Sequence, residues 1–206
     1  MISVALNSFE NGTQGQHAFA LSSAAYLEDM VNNPVFLEKL KTVTYSRNIY
    51  FPNDTIQIEA TNDDLIRVIT GGIEWMANPT GHKPDNEIDL KVRLEDMPNG
   101  IYGGADHPDP TIKTSKKFFA QWFSENNWIA LAGHWFHEWL HVAGFQHKFR
   151  QPSEQPDYND AVYTVGNLLV NAYAEGQNKD VAGKAAEYFS AYHIPKEYMT
   201  KNIALA

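Results

Sequence analysis

The sequence predicts an α+β fold, a mixed sheet with helices, and three segments carry this prediction. Residues His17–Met30 have an apolar side at helical spacing. Residues Glu87–Leu94 alternate apolar and polar side chains, as a half-buried strand does. Residues Trp128–Ala143 are apolar nearly all round, which is typical of a buried helix. Strands mix with helices over the first two-thirds of the chain, and loops and helices follow, an order that favours the α+β class.

Capping residues, glycines and prolines predict the remaining elements. A helix cap is expected where Asn or Thr precedes an apolar periodic segment, and Gly and Pro clusters mark loops. The elements predicted in this way are a short helix from Pro34 after Asn33, a helix from Thr61–Asp64 to Met76, a loop over Gly100–Pro110, a short strand at Thr111–Thr114, and helices at Val165–Ala174 and Lys179–Tyr192.

Composition limits the classes of function. The chain has 206 residues, 16 Lys and Arg against 25 Asp and Glu, and a net charge of −9. That length suits one domain, and the acidic balance argues against nucleic-acid binding, which needs a basic face. No apolar run reaches the roughly 18 residues of a membrane span, and the N-terminus as written lacks a signal peptide. Because cysteine is absent, a metal would be held by His, Asp, Glu or backbone oxygen.

The sharpest signal is a run of histidines around the end of the buried helix. His137 and His141 are four residues apart, so a helix presents both imidazoles on one face, about 6 Å apart. Glu138 lies beside them, where it reaches a metal-bound water but is badly placed as a ligand. Gly144 tolerates a positive φ, so it can end the helix and turn the chain until His147 meets the other two rings. Three imidazoles with one open position are the arrangement of a catalytic zinc site.

These residues form the pattern HExxHxxGxxH, and the chain thereby resembles the metzincin metallopeptidases at every fixed position of their zinc signature. The resemblance implies that His137, His141 and His147 hold one Zn²⁺ and that Glu138 is the general base. It further implies an N-terminal subdomain, residues 1–143, and a smaller C-terminal one, residues 144–206, with the cleft between them near Gly144. An edge strand would bind peptide in extended form, with Thr111–Thr114 as its candidate. A secreted or periplasmic location follows from the resemblance only.

Two positions depart from the family pattern. Metzincins carry a methionine turn beneath the zinc, but the only Met after His147 is Met199, close to the end of the chain. Asp160–Tyr163 looks like this turn with Val162 in the Met position, which would keep an apolar floor without a thioether. Lys148 follows the third histidine, where several better-known subfamilies have other residues. The subfamily is therefore left open.

The predicted function is that of a zinc-dependent endopeptidase acting on peptides or proteins. Zinc lowers the pKa of its bound water to about 7, and Glu138 takes the water proton and passes it to the leaving amine. Tyr163 is a candidate for binding the oxyanion, with simple packing as the alternative. Two other functions stay open: a zinc amidase acting on cell-wall or other non-protein amides, and a zinc-binding protein without turnover, which would have no need of Glu138.

Other polar residues are weaker candidates. His134 falls near the ligand face and could extend the metal site, although a core histidine is the favoured interpretation. Asp106–Asp109 offers ligands for a second metal such as calcium, against a polar loop tip, which is favoured. Asp157 and Asp160 are candidates for accepting an imidazole N–H, against a solvated loop.

Overall fold

The computed structural model describes residues 1–53, 56–74, 84–105, 109–147, 157–175, 177 and 179–191. Over these residues the chain forms seven helices and two sheets, which confirms the α+β class. The strands are β1 (Ser3–Glu10), β2 (Ile49–Asn53), β3 (Ile56–Glu59), β4 (Glu87–Glu95), β5 (Gly103–Ala105), β6 (Thr111–Ser115) and β7 (Phe145–Gln146). The helices are α1 (Gln14–Val31), α2 (Pro34–Leu40), α3 (Asn62–Gly71), α4 (Lys116–Ser124), α5 (Trp128–Val142), α6 (Ala161–Ala174) and α7 (Lys179–Ala191).

The larger sheet is mixed and has the strand order β1-β4-β6-β5. Strand β1 pairs with β4, and β4 with β6, in parallel, whereas β5 runs antiparallel to β6. In β4 the alternation predicted from the sequence is observed, because alternate apolar side chains are buried: Ile88, Leu90, Val92 and Leu94. Burial of every second side chain explains why this strand was the easiest to predict.

The edge of this sheet differs from the prediction. The segment Thr111–Thr114 is a strand, as expected, but β6 lies between β4 and β5 and has no free edge for a peptide. The strand at that edge is β5, within the segment predicted as a loop. Its three residues include Gly103 and Gly104, which give no apolar alternation to recognise, so pairing with β6 alone defines it.

Local capping decides where several helices begin. Thr13 forms a capping box with Gln16 at the start of α1, and Asn33 caps α2 with Pro34 in its first turn, as predicted. Helix α3 begins after Thr61 but does not reach Met76, which corrects the prediction. It ends at Gly72, whose φ of 59° is left-handed and favours glycine.

Helix α5 lies at the centre of the fold. It packs against α1, α6 and α7 and against strands of the larger sheet. Every residue from Ile129 to Val142 is buried, which confirms the prediction of an internal helix. Strand β7 follows directly and joins the second sheet, of order β3-β2-β7, so the residues just after α5 are held by β2.

Several elements were not predicted from the sequence. They are β1, β2, β3, β5, β7 and α4. Within the described part of the chain, none of the helices is long and apolar enough to cross a membrane. The division into residues 1–143 and 144–206 stays a prediction.

Candidate metal centre

Two of the three histidines are held by consecutive turns of α5. Asn127 caps the helix by accepting a hydrogen bond from the Ala130 N–H at 3.1 Å. His137 and His141 lie on one face, with ring centroids 5.4 Å apart and nearly perpendicular ring planes. They are 3% and 8% exposed, so both rings reach the site from within the core.

The third histidine reaches the site through a turn at Gly144. Gly144 has a φ of 104°, a backbone conformation that residues other than glycine rarely adopt. The Gly144 carbonyl accepts a hydrogen bond from the Phe51 N–H at 2.9 Å, which ties the turn to β2. The ring of His147 thereby lies 5.2 Å from that of His137 and 4.7 Å from that of His141. The turn predicted from Gly144 is confirmed.

The three imidazoles are close enough to share one ion. One ligand nitrogen from each of His137, His141 and His147 lies within 4.8 Å of the other two. No other group of at least three metal-binding side chains was found among the residues that the structure describes. The structure thus supports a metal site at the three predicted ligands.

Hydrogen bonds orient two of the rings. The Nδ1–H of His141 donates to the Phe145 carbonyl at 2.8 Å, and the Nδ1–H of His147 donates to Asp160 Oδ2 at 2.8 Å. Donation from Nδ1 leaves Nε2 with its lone pair, the form that a metal requires. This donor set fits a divalent ion such as Zn²⁺, because imidazole is among its preferred ligands.

Asp160 has two roles that combine local and long-range structure. Its Oδ1 accepts the Tyr163 N–H at 3.1 Å and so caps α6, while its Oδ2 accepts from His147. The Asp160 side chain is 3% exposed, so the carboxylate that accepts from His147 is largely removed from water. The prediction that Asp160 accepts an imidazole N–H is confirmed. Asp157 instead accepts from the Ser46 hydroxyl and the Asn159 N–H, so it stabilises the loop rather than a ring.

The electrostatics of the site favour neutral imidazoles. Burial lowers the pKa of His137 well below its ordinary value, and the neighbouring His147, His141 and His134 lower it further. A buried cluster of histidines would repel itself if protonated. His137 is therefore neutral at neutral pH, which is the form in which an imidazole binds a metal.

Glu138 follows His137 on α5 and is 5% exposed. The Nδ1 atom of His134 lies 3.7 Å from its Oε1 atom. Burial raises the pKa of the Tyr188 hydroxyl on α7, and the charge of the nearby Glu138 raises it further. Sequence reasoning missed Tyr188, since no motif connects α7 with α5.

Tyr163 and Val162 lie at the start of α6. The Tyr163 ring stacks on His147 at 4.4 Å between centroids and lies 5.0 Å from that of His137. Val162 is fully buried in the first turn of the helix. The segment predicted as a methionine turn is therefore a capped helix start that packs beside the metal ligands. Whether Tyr163 binds an oxyanion stays a prediction.

The remaining candidates do not join the site. His134 is fully buried and contacts Thr114 and Glu138, so it is not a fourth ligand of the cluster. Asp109 faces Arg93 at 3.7 Å and accepts the Thr111 N–H at 3.0 Å. The other residues of the predicted calcium loop, 106–108, lie outside the described residues, as do Lys148 and Met199.

Comparison with known proteins adds no assignment. No family model, no curated protein and no solved structure matches this chain. The case for a function therefore depends on the motif and on the geometry of the site.

Proposed function

We propose that this chain is a zinc-dependent endopeptidase in which Glu138 is the general base. The observation that carries the proposal is the three-histidine cluster together with the buried Glu138, which follows the ligand His137 on the same helix. A purely structural ion would have no need of that carboxylate, and a closed structural site would use a fourth protein ligand, which the described part of the chain does not offer.

The chemistry of the proposal divides between the ion and the chain. A divalent ion held by the three histidines would lower the pKa of a water molecule and polarise a carbonyl group. Glu138 would take the proton of that water and deliver it to the leaving amine. Asp160 and the Phe145 carbonyl orient two of the rings, and the stacked ring of Tyr163 puts a phenol beside the same cluster.

The substrate class is supported by the edge strand. Strand β5 is one of the two edge strands of the larger sheet in the described structure, and it contacts α5, the helix that carries the site. Gly103 and Gly104 have no side chains to cover its backbone, and the space next to the Cα of Gly104 is open. An extended peptide can add to such an edge through main-chain hydrogen bonds. Export from the cytoplasm stays a prediction from the resemblance alone.

Digestion of a proteome-derived peptide library, with and without a metal chelator, tests this function. We expect cleavage that the chelator stops and added Zn²⁺ restores, with metal analysis giving about one zinc per chain. If cell-wall fragments are cleaved and the peptides stay uncleaved, the result would instead support the zinc amidase. A chain that binds zinc and cleaves neither would rule out the hydrolase.

Replacing Glu138 separates catalysis from metal binding. We expect Glu138→Ala to lower peptide hydrolysis by about 100-fold or more, since general acid–base catalysis is lost, with zinc still bound. Turnover numbers and bound zinc per chain are the measurements. Glu125→Ala is the matched control, because Glu125 is exposed at the end of α4. Undiminished turnover in Glu138→Ala would exclude this residue as the base.

A further inference from the structure

Strand β5 presents its backbone to the edge of the larger sheet in a register that its pairing with β6 determines. The Ser115 N–H donates to the Tyr102 carbonyl at 2.8 Å, which extends the β5–β6 ladder by one pair. In an antiparallel pair, the N–H and C=O groups of every second residue point to the partner strand and the others point away. The main-chain groups of Tyr102 and Gly104 therefore face β6, whereas those of Gly103 and Ala105 face the edge.

This register fixes which side chains of an added peptide meet which residues of the edge. A peptide that adds antiparallel is hydrogen-bonded at Gly103 and Ala105. Its residues opposite Tyr102 and Gly104 then form the non-hydrogen-bonded pairs, in which the side chains of two strands approach most closely. Because the peptide runs against β5, the residue opposite Gly104 comes two positions before the residue opposite Tyr102.

Tyr102 and Gly104 offer these two side chains different surroundings. The Tyr102 ring is half-buried, stacks on Phe118 at 3.7 Å between centroids and lies 6.1 Å from the Trp122 ring. These contacts with α4 hold the ring in place, so packing against it costs little side-chain entropy. At Gly104 a Cβ atom would meet nothing within 4 Å. One position thus offers an aromatic surface and the other offers open space.

We propose that Tyr102 is a specificity-determining residue: its ring forms the subsite for one aromatic or large aliphatic side chain of a peptide bound along β5, and Gly104 leaves the side chain two positions earlier unselected. Cross-strand apolar pairs stabilise a sheet, and burial of the apolar surface adds to this. Since β5 packs on α5, which carries two of the histidines, the subsite lies at a fixed distance from the scissile bond. The inference rests on the proposed peptidase function.

The first test is cut-site profiling of a peptide library with the zinc-loaded chain. We expect aromatic and large aliphatic residues to be enriched at one position, with no selection two positions before it. Tyr102→Ser should lower kcat/KM for these substrates by about tenfold and leave alanine substrates unchanged, while Tyr102→Phe should keep the preference. Phe123→Ser is the control, because Phe123 is 40% exposed on α4 and packs against Phe19 instead. Identical profiles for the wild type and Tyr102→Ser would overturn the inference and leave the peptidase function intact.

The Gly104→Val variant tests the register by creating a preference. Gly104 has no positive φ and the space beside it is open, so a valine fits there. We expect a second apolar preference two positions before the first, since the valine forms a cross-strand pair with the substrate. A loss of stability does not create a preference, so this outcome is specific to the register. An unchanged profile in the folded variant would refute it.

Peptide binding without turnover separates this inference from the proposed function. The probes are alanine hexapeptides ending in lysine, with one Phe at each alanine position in turn, titrated into the zinc-loaded Glu138→Ala chain. We expect amide shift changes at Gly103 and Ala105, and about tenfold tighter binding of the best Phe peptide than of the peptide without Phe. Adding Tyr102→Ser should remove that difference. Equal affinities would refute the subsite, whereas a wild type that cleaves nothing would refute the proposed function and leave binding to decide the subsite.

Discussion

The metal site has two halves that are built differently. His137 and His141 come from a buried helix, where neighbouring turns determine their separation. His147 comes from the chain after the helix, its side chain is 27% exposed, and its position depends on residues far away in sequence. The Gly144 turn is tied to Phe51 in β2, and the ring is tied to Asp160 at the start of α6.

This difference indicates which half of the site is vulnerable. Helical spacing is maintained by backbone hydrogen bonds within α5, so the pair His137 and His141 stays aligned after most single substitutions. The third ligand needs the turn, the second sheet and the cap of α6 at once. We therefore expect remote substitutions to reduce metal affinity mainly through His147, and four variants test this in decreasing order of effect.

Removal of the third ligand should have the largest effect. We expect His147→Ala to weaken zinc binding by about a thousandfold, more than the roughly 10–100-fold that loss of an outer hydrogen-bond partner costs. Competition with a chelating dye gives the affinity. His17→Ala is the control, because His17 is exposed on α1 and stacks on Phe9. Unchanged affinity in His147→Ala would remove this residue from the ligand set.

A side chain at Gly144 should displace the third ligand without removing it. A Cβ atom there would lie 2.6 Å from the Phe51 carbonyl oxygen, at a φ of 104°. We expect Gly144→Ala to lower the free energy of unfolding by about 2–3 kcal/mol and zinc affinity by up to about 100-fold. Denaturant unfolding and dye competition are the measurements. Gly183→Ala in α7 is the control. Its added Cβ atom would meet open space, so it should stabilise the fold by up to about 1 kcal/mol.

Loss of the Asp160 charge should have a smaller effect. Asn still caps a helix, but it has only one accepting oxygen for two donors, the His147 ring and the Tyr163 N–H. We expect Asp160→Asn to reduce zinc affinity by about tenfold. Asp157→Asn, in the same loop but bonded to Ser46, should bind zinc as the native chain does. Equal affinities for the two variants would show that Asp160 does not support the ligand.

Metal binding by the helix half, His137 and His141, should tolerate a substitution at a residue that packs against α5. Glu74 is buried, and its Oε1 accepts the Trp139 indole N–H at 2.6 Å and the Asp89 N–H at 3.0 Å. Glu74→Gln keeps an accepting oxygen, so zinc affinity should stay within about twofold. A larger loss of affinity would contradict the proposed independence of the helix half.

Glu74 also predicts a dependence of stability on pH. Burial raises the pKa of its carboxyl to about 8 from 4.5, although hydrogen bonds from Asp89 and Trp139 oppose the shift. Its contribution to the free energy of unfolding is therefore greatest below about pH 4.5 and is lost as pH rises to about 8. Glu74→Gln should gain stability relative to the native chain over this interval. Urea unfolding at pH 5, 6.5 and 8 measures the difference.

Predictions from the sequence succeeded where a pattern lies within one element. The capped start of α2, the alternation of β4 and the buried helix α5 all depend on neighbouring residues. Predictions failed where the pairing of strands or packing between elements, rather than a local pattern, determines the element. Strand β5 consists of three residues defined by β6, and α4 begins after Ser115 without a side-chain hydrogen bond to cap it. Short strands and uncapped starts leave little periodicity to detect.

By itself, the sequence determined that two histidines share a helix face, that a glutamate lies beside them and that a glycine can turn the chain after them, because these relations follow from helical periodicity and from backbone freedom. Only the tertiary structure decided that His147 turns back to the other two rings, that Asp160 rather than Asp157 holds it, and that Thr114 contacts His134. Those contacts join residues 6 to 20 positions apart that lie on different elements, and packing and hydrogen bonding between elements bring them together.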